Sequence, residues 1–588
     1  MKDYKTSGNK IPLFLPHSSA STALNKTGSW RYVRPLYDEK TSPCSAACPA
    51  GEDIACIEML VSQNLITEAW ETILEENPFP AVCGRVCFHK CEGACNRGQM
   101  DDPVAIHHLE RFVGDAAISS KEISRIKTLP DNGKKVAIAG SGPAGLGAAY
   151  FLARLGYGCE VFEKKSDPGG ILRWGIPIYR LPQEVLEKEI NRIEKLGVTI
   201  HCRTPITSEM LETFQTQYDA VFIACGYGRA IDLQIEGAQK AINGLQFLHK
   251  VRARHEVSVN AKSTAAVIGG GNTAIDVART LVRLGVNPII VYRRRRQDMP
   301  AFDPELQMAL NEGVKLRELL TPIKIKDAGS DWAGQQTPYV VTLQKMKVSA
   351  TEIEGRARVV PNGDKTETLQ IDHIFTAIGA EPADPWHNVA TGKHPSLSLS
   401  HCELVNSDVP IAYGGDLTNR VKSVADAIAS GKQAAIALDT YFKSGWDAVN
   451  EAVKRCQVGT GPIVSMAMYL NKERKDRNPH IVSYSEINTH YFKSAPRTIA
   501  PALSPLDRSQ SFLPVEYTLS KEAALEESRR CFNCGVCNAC DYCRLYCPDI
   551  SVIVENARRS IDLNYCKGCG LCVTECPRNA MALKEEDI

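Results

Sequence analysis

Between Arg529 and Ile550 the sequence RRCFNCGVCNACDYCRLYCPDI carries six cysteines. Four of them, Cys537, Cys540, Cys543 and Cys547, follow the spacing C-x2-C-x2-C-x3-C and precede Pro548; the same run recurs at Cys566, Cys569, Cys572 and Cys576 before Pro577. Three thiolates this close wrap one iron-sulfur cube, and the fourth reaches a second. One [4Fe-4S] cluster is expected on Cys537, Cys540, Cys543 and Cys576, and another on Cys566, Cys569, Cys572 and Cys547. Zinc takes isolated C-x2-C pairs, not this doubled run. Cys531 and Cys534 are surplus to both clusters.

A second concentration lies upstream. TSPCSAACPAGEDIACIEML supplies Cys44, Cys48 and Cys56, and FPAVCGRVCFHKCEGACNRG supplies Cys83, Cys87, Cys91 and Cys95. Steps of four would suit a helical stripe, but Gly84, Gly93 and their polar neighbours argue against one long buried helix. Between the groups, IEMLVSQNLITEAWETILEENP reads as amphipathic helices that pack the cysteine turns together. Ligands for two clusters are present, with one or two missing. Of 22 cysteines, seven fall from Cys44 to Cys95, ten from Cys531 to Cys576, and five stand alone, which points to metal and not to disulfides. Cys159, Cys202, Cys402 and Cys456 are read as packing; Cys225 lies at a chain crossing described next.

The centre of the chain carries two glycine fingerprints. In VAIAGSGPAGLGAAYFLARLG an apolar strand leads into Gly140, Gly142 and Gly145, spaced G-x-G-x-x-G, and then into an Ala-rich helix. Such glycines bring backbone N–H groups and the helix N-terminus up to a pyrophosphate. The next strand ends in Glu163, 23 residues after Gly140, where a ribose hydroxyl acceptor belongs. A second copy, TAAVIGGGNTAIDVARTLVRLG, places Gly269, Gly271 and Ala274 at the fingerprint positions, but its following strand ends in arginines. Arg293 and Arg294 suit a 2'-phosphate, so NADPH is preferred to NADH; a merely solvated arginine run is the alternative. DAVFIACG and IDHIFTAIGA end apolar runs in glycine, as a chain does when crossing between two units. YGGD puts Asp416 between a strand and a helix, where a carboxylate can accept from flavin ribityl hydroxyls.

Composition sets the frame. A chain of 588 residues that is 44% hydrophobic makes several domains, and 69 basic against 68 acidic residues gives no reason to expect nucleic acid. MKDYKTSGNKIPLFLPHSS has no signal-like apolar core, and no apolar run reaches membrane-spanning length, so no membrane insertion and a cytoplasmic location are expected.

GSGPAGLGAA, GGILRWGIPIYRLP, DAVFIACG, GGGNTAIDVAR, VYRRRRQDMPA and YGGD together resemble the small subunit of glutamate synthase and its relatives. This group of FAD and NAD(P)H oxidoreductases includes the N-terminal part of dihydropyrimidine dehydrogenase. The resemblance spans roughly residues 44–442. It implies FAD at the first fingerprint, with Gly140, Gly142, Gly145, Glu163, Arg173, Pro177, Arg180 and Asp416, and NADPH or NADH at the second, with Gly269, Gly271, Asn272, Thr273, Arg293 and Arg294. It also implies two N-terminal [4Fe-4S] clusters, hence four in all. In such proteins a C-x2-C pair precedes the counterparts of Cys44 and Cys48. None does here, but EESRRCFNCG carries the phrase far downstream. Cys531 and Cys534 are therefore expected to fold back and join Cys44 and Cys95. The other cluster would use Cys48, Cys87 and Cys91, with Glu110 at the position of a glutamine ligand and His107 and His108 as alternatives; Cys56 and Cys83 remain core thiols.

The expected fold is multidomain, α+β and α/β. A helical iron-sulfur domain with an N-terminal extension (1–130) precedes two interleaved Rossmann-like units, for FAD (131–250 and 396–445) and NAD(P)H (251–395). A wrapping linker (446–530), with Tyr469, Tyr491, Phe492 and Phe512 as anchors, leads to a ferredoxin-like domain (531–588). The function implied is electron transfer between NAD(P)H and a partner redox enzyme or ferredoxin-like carrier through FAD and clusters. SAPR and the C-terminal cysteine phrase resemble flavoproteins that serve dissimilatory sulfite reductase. A glutamate synthase small subunit feeding a large subunit and a non-catalytic electron-storage subunit are the alternatives, and a homodimer is compatible with all three.

Overall fold

The computed structural model describes residues 26–120, 128–328, 338–353, 356–388, 392, 394–471, 477–555 and 558–586. The opening stretch MKDYKTSGNKIPLFLPHSS lies outside them.

Two sheets form the centre, one mixed and one wholly parallel. Strands Lys135–Ala139 and Ala220–Ile223 are buried at almost every position, as apolar strands covered on both faces must be. They sit in a seven-stranded sheet ordered Ser396–Ser398, Glu403–Val405, Ile411–Tyr413, Ala220–Ile223, Lys135–Ala139, Gly158–Phe162, Thr199–His201. The first three strands enter only after the whole second sheet has been made. That sheet runs Lys315–Glu318, Asn287–Tyr292, Thr264–Ile268, His373–Thr376, Ile242–Asn243, parallel throughout. The two units are thus interleaved, and the chain crosses between them on a ribbon of Arg229–Ala230 and Ala380–Glu381, just past the two glycine-ended runs. A three-stranded antiparallel sheet, Leu320–Asp327, Tyr339–Ile353 and Arg356–Ile371, is inserted in the second unit without a sequence signal that announced it. Helix Val424–Ser444 packs on helix Pro143–Arg154 so tightly that a Cβ on Gly431 would stand 2.4 Å from the Ala144 carbonyl oxygen.

Short helices build the N-terminal domain: Pro43–Ala47, Ile54–Ser62, Ile66–Leu74, Pro80–Val86, Lys90–Gly93 and Ile106–Ser119. Pro80–Val86 stops at Cys87, so the cysteines at steps of four lie on separate turns. Gly84 serves close approach: a Cβ there would meet Arg111 N at 2.5 Å, and one on Gly114 would meet Ala81 N at 2.5 Å. Ile54, Ile57, Val61, Trp70, Ile73, Leu109 and Val113 form the core, which Leu519 and Ala524 complete from the far end of the chain.

The described residues between 446 and 530 carry helices Val449–Arg455, Pro505–Gln510 and Lys521–Arg529. All four expected aromatic anchors make contacts, although each is half-buried. Tyr469 donates to Asp439, Tyr491 to Glu575, Phe492 packs on Phe532 at 4.5 Å, and Phe512 on Tyr179 at 6.3 Å.

The segment ahead of the N-terminal helices packs on the far end of the chain. Val33–Tyr37 pairs antiparallel with Met581–Glu585 and so belongs to the C-terminal unit, Tyr37 opposite Met581 and Val33 opposite Glu585. Arg31 donates to the carbonyls of Leu563 at 2.6 Å and Cys566 at 2.9 Å. Buried Lys40 donates to the Asn579 carbonyl at 2.8 Å. The pairing covers one edge of a strand that would otherwise leave its backbone groups exposed. Among the described residues no helix is long and apolar enough to cross a membrane.

Candidate functional site

At the first fingerprint Gly140 holds φ +104°. A Cβ on Gly145 would stand 1.9 Å from the Gly140 carbonyl oxygen, while one on Gly142 would meet nothing within 4 Å. The turn is therefore closed behind and open in front of the helix N-terminus, a cradle that fits a pyrophosphate. Glu163 is fastened at the strand end. One oxygen accepts from Ser141 N at 3.2 Å and from the Ser141 hydroxyl, the other from Lys165 N at 2.8 Å. Gly170 lies against the same turn, 2.7 Å from its would-be Cβ to Gly142 Cα, so GGILRWG is laid over the cradle. Arg173 donates to Pro168 O at 2.6 Å and to Glu187 at 3.1 Å, and Pro177 is buried. The Asp416 turn comes in from the returning strands, with Gly415 3.0 Å from Ala144 by the same measure. Burial raises the Asp416 carboxyl pKa, and Lys422 partly offsets this.

Arg180 reaches across to the second unit. Its guanidinium meets both Asp276 oxygens at 2.9 Å and Glu305 at 3.0 Å, on two helices of the second unit. Arg279 and Arg283 continue the network to Glu312, and Arg283 stacks over Tyr179 at 3.7 Å. Arg180, expected among the flavin residues, makes its ion pairs on the joint between the two nucleotide units, where two carboxylates with little exposure need a cation.

The second fingerprint repeats the cradle. Gly269 holds φ +143° with a would-be Cβ 2.2 Å from Ala377 O, and Gly271 is open. Asn272 and Thr273 begin helix Asn272–Arg283, and Asn272 Oδ1 accepts from Phe302 N at 2.9 Å. Arg293 is exposed at the end of strand Asn287–Tyr292 and has no ion-pair partner among the described residues, whereas Arg295 pairs with Asp298.

The C-terminal cysteines line two cavities. One is lined by Cys537, Cys540, Cys543 and Cys576; the other by Cys547, Cys566, Cys569 and Cys572. Each draws three cysteines from one run and the fourth from the other, which fits the two-cluster ferredoxin ligand pattern. Hydrogen bonds to sulfur surround them: Tyr37 hydroxyl with Cys543 at 3.4 Å, Ser551 N to Cys547 at 3.2 Å, Ala580 N to Cys576 at 3.3 Å.

The structure also brings Cys531 and Cys534 against the N-terminal domain. Arg97, nearly inaccessible, donates to the Arg530 carbonyl at 3.1 Å and lies over the Phe532 ring at 5.0 Å. Asn533 donates to Ala55 O at 2.9 Å, and Asn96 to Cys534 Sγ at 3.4 Å. Burial pushes the Cys44 thiol pKa up, and Cys95 and Cys534 push it further; for Cys531 burial leads, followed by Glu58, Cys44, Cys534 and Cys95. Four thiols, two buried and two half-buried, that oppose each other's ionisation fit a polycation held between them.

Cys48, Cys87 and Cys91 form a second group. Burial raises the pKa of Cys91, reinforced first by Cys48 and then by Cys87. Glu110 stands beside Cys87 and Cys83, and Asn77 Nδ2 bridges it at 3.1 Å to Glu52 at 2.7 Å. Burial raises the Glu110 pKa, then Glu52 adds to it. Cys83 is buried as expected, but Cys56 is only half-buried. His107 and His108 stand together with His89, which sequence reasoning left out because it sits on a different turn.

Comparison with known proteins agrees with this layout. The pyridine nucleotide-disulphide oxidoreductase family matches residues 134–392, dihydropyrimidine dehydrogenase domain II (4Fe-4S cluster) residues 36–122, and the 4Fe-4S binding domain residues 559–582. The NADP(+)-dependent formate dehydrogenase subunit beta of Moorella thermoacetica is 34% identical over 69% of this chain and 60% of its own length. The NADPH-Fe(3+) oxidoreductase subunit beta of Geobacter sulfurreducens is 34% identical over 60% of this chain and 52% of its own. This chain thus spans little more than half the length of those two. The NAD-dependent dihydropyrimidine dehydrogenase subunit PreT of Escherichia coli is 33% identical over 68% of this chain and 91% of its own length. With a nucleotide-binding centre between 4Fe-4S regions, the chain belongs to the pyridine-nucleotide iron-sulfur oxidoreductase family that includes PreT.

Proposed function

We propose that this chain is the NAD(P)H-linked subunit of a larger redox enzyme, passing electrons through FAD and four [4Fe-4S] clusters to a partner protein. The observation that carries the reading is the packing of Cys531 with Cys44 and Cys95, with Cys534 bonded to Asn96 of the same domain, because it brings the cysteine groups of both ends of the chain together. FAD, when bound, takes a hydride from the nicotinamide as an electron pair and gives it up singly, the form in which [4Fe-4S] clusters carry it. Gly140, Gly142 and Gly145 would hold the flavin's pyrophosphate, Glu163 its ribose and Asp416 its ribityl chain, with Arg173, Pro177 and Arg180 in the same site. Gly269, Gly271, Asn272 and Thr273 hold the nicotinamide nucleotide, and exposed Arg293, with Arg294 next to it, favours the 2'-phosphate of NADPH.

Cys44, Cys95, Cys531 and Cys534 hold one N-terminal cluster; Cys48, Cys87, Cys91 and Glu110 hold the other. Exposed Cys540 and Cys569 mark the ferredoxin unit as the exit to a partner. A dissimilatory sulfite reductase as that partner rests on the sequence resemblance. The test is anaerobic copurification with the tagged chain. Recovery of a sulfite reductase that NADPH reduces only through this chain supports it. Recovery of a large amidotransferase chain supports the glutamate synthase reading instead, and a chain that neither nucleotide reduces is a storage subunit.

A further inference from the structure

Beside the Cys48, Cys87 and Cys91 group lies a cluster of side chains that none of these sites uses. His89 and His107 stack with ring centres 3.7 Å apart and 13° from parallel, and His108 follows 3.7 Å from His107. Ligand atoms of His89, Glu92 and His107 all lie within 4.8 Å of one another, and so do those of His107, His108 and Glu516. Two nitrogens in the group, His89 Nε2 and His108 Nδ1, are closed off from solvent and have no hydrogen-bond partner; His108 is only 9% exposed. An unsatisfied buried nitrogen is destabilising, and a bound ion is one arrangement that removes the penalty.

We propose that His89, Glu92 and His107, with His108 and Glu516 alongside, form a site for one divalent cation of the zinc type, distinct from the iron-sulfur clusters. Imidazole nitrogens with carboxylate oxygens suit zinc, and hard cations such as calcium and magnesium prefer all-oxygen sites. The Glu92 carboxylate is oriented from both sides, since Arg497 donates to Oε2 at 2.7 Å while Oε1 faces His107 Nδ1 at 2.6 Å. Adjacent ligands of a tetrahedral zinc stand roughly 3.3 Å apart, so the pair opens by less than an ångström and the proton it shares passes to solvent. The cation would join the cysteine turn, helix Ile106–Ser119 and Glu516 of the wrapping segment. The same cluster meets the nicotinamide unit, since the Phe302 ring stands edge-on to His89 at 5.3 Å.

The test uses the anaerobically purified full chain with its clusters, stripped of loose metal and equilibrated with micromolar zinc. Metal analysis is expected to find one zinc per chain, with absorption fine structure giving nitrogen and oxygen ligands at about 2.0–2.1 Å. H89Q/H107Q should weaken binding at least tenfold at unchanged iron and sulfide. Should that variant lose iron, E516Q is read instead and should weaken binding several-fold. No retained zinc, binding equal in the variants, or sulfur ligands at about 2.3 Å, which would mean captured cluster cysteines, overturns the proposal.

Discussion

Replacing Cys531 and Cys534 by serine removes two thiols while leaving the segment that carries them anchored. Arg530 keeps its contacts to Asp101 at 3.1 Å and the Asp102 carbonyl at 2.7 Å, Asn533 keeps Ala55 O at 2.9 Å, and Phe532 stays 2% exposed. The fold should therefore survive, so a change in iron reports ligation and not collapse. Cys44 and Cys95 alone offer two ligands, too few for a cube that takes four. Iron and acid-labile sulfide should each fall from about sixteen to about twelve per chain, with FAD unchanged and Mössbauer spectra showing only [4Fe-4S] in both proteins. Unchanged iron would make the pair structural and refute the fold-back ligation. Loss of about eight irons with the flavin would mean that the segment holds the domain together and not one cluster.

Three further outcomes follow from the nucleotide units. R293A should raise the KM for NADPH roughly ten- to a hundredfold, as loss of a charge-assisted phosphate contact does, and leave NADH within a few-fold; equal weakening of both would exclude a 2'-phosphate role. G145A should yield protein that keeps its iron but not its FAD, because the new Cβ would stand 1.9 Å from the Gly140 carbonyl oxygen; one flavin per chain in the variant would show that the turn can yield. The joint between the units should weaken in acid. Burial alone would raise Glu312, but Arg279 and Arg283 together lower it below its ordinary 4.5, and Arg180 and Arg279 do the same for Glu305. Such groups contribute stability above pH 4.5 that is lost as pH falls through their folded values. Asp276, raised to about 6 by burial, acts oppositely, favouring the fold as it takes up a proton between about 6 and 3.8. Hydrogen exchange in helix Asn272–Arg283 should therefore quicken only below about pH 4.5, and E312Q should flatten the change; acid sensitivity unaltered in E312Q would count against it.

Local signals carried much of this architecture. Cysteine spacing and the glycine fingerprints depend on residues a few positions apart, and the interleaving showed in where apolar runs ended in glycine. Cys531 and Cys534 were legible because their flanking phrase EESRRCFNCG travelled with them. Three features depend on distant partners. Val33–Tyr37 has no strand signal of its own beyond five residues and is made by the edge of Met581–Glu585. Arg180 sits in a stretch that resembles flavin-site sequence, but its direction is set by Asp276 and Glu305 on another unit. His89, His107, His108 and Glu516 come from separate segments that only packing assembles.

Anaerobic titration with NADPH, followed by absorbance and by electron paramagnetic resonance, tests the proposed electron route most directly. About six electrons should enter each chain, two for FAD and one for each of four clusters, with cluster signals growing as the flavin bleaches. Uptake that stops at about two electrons, with no cluster signal, would contradict a continuous path from the nicotinamide to the cysteines at both ends of the chain.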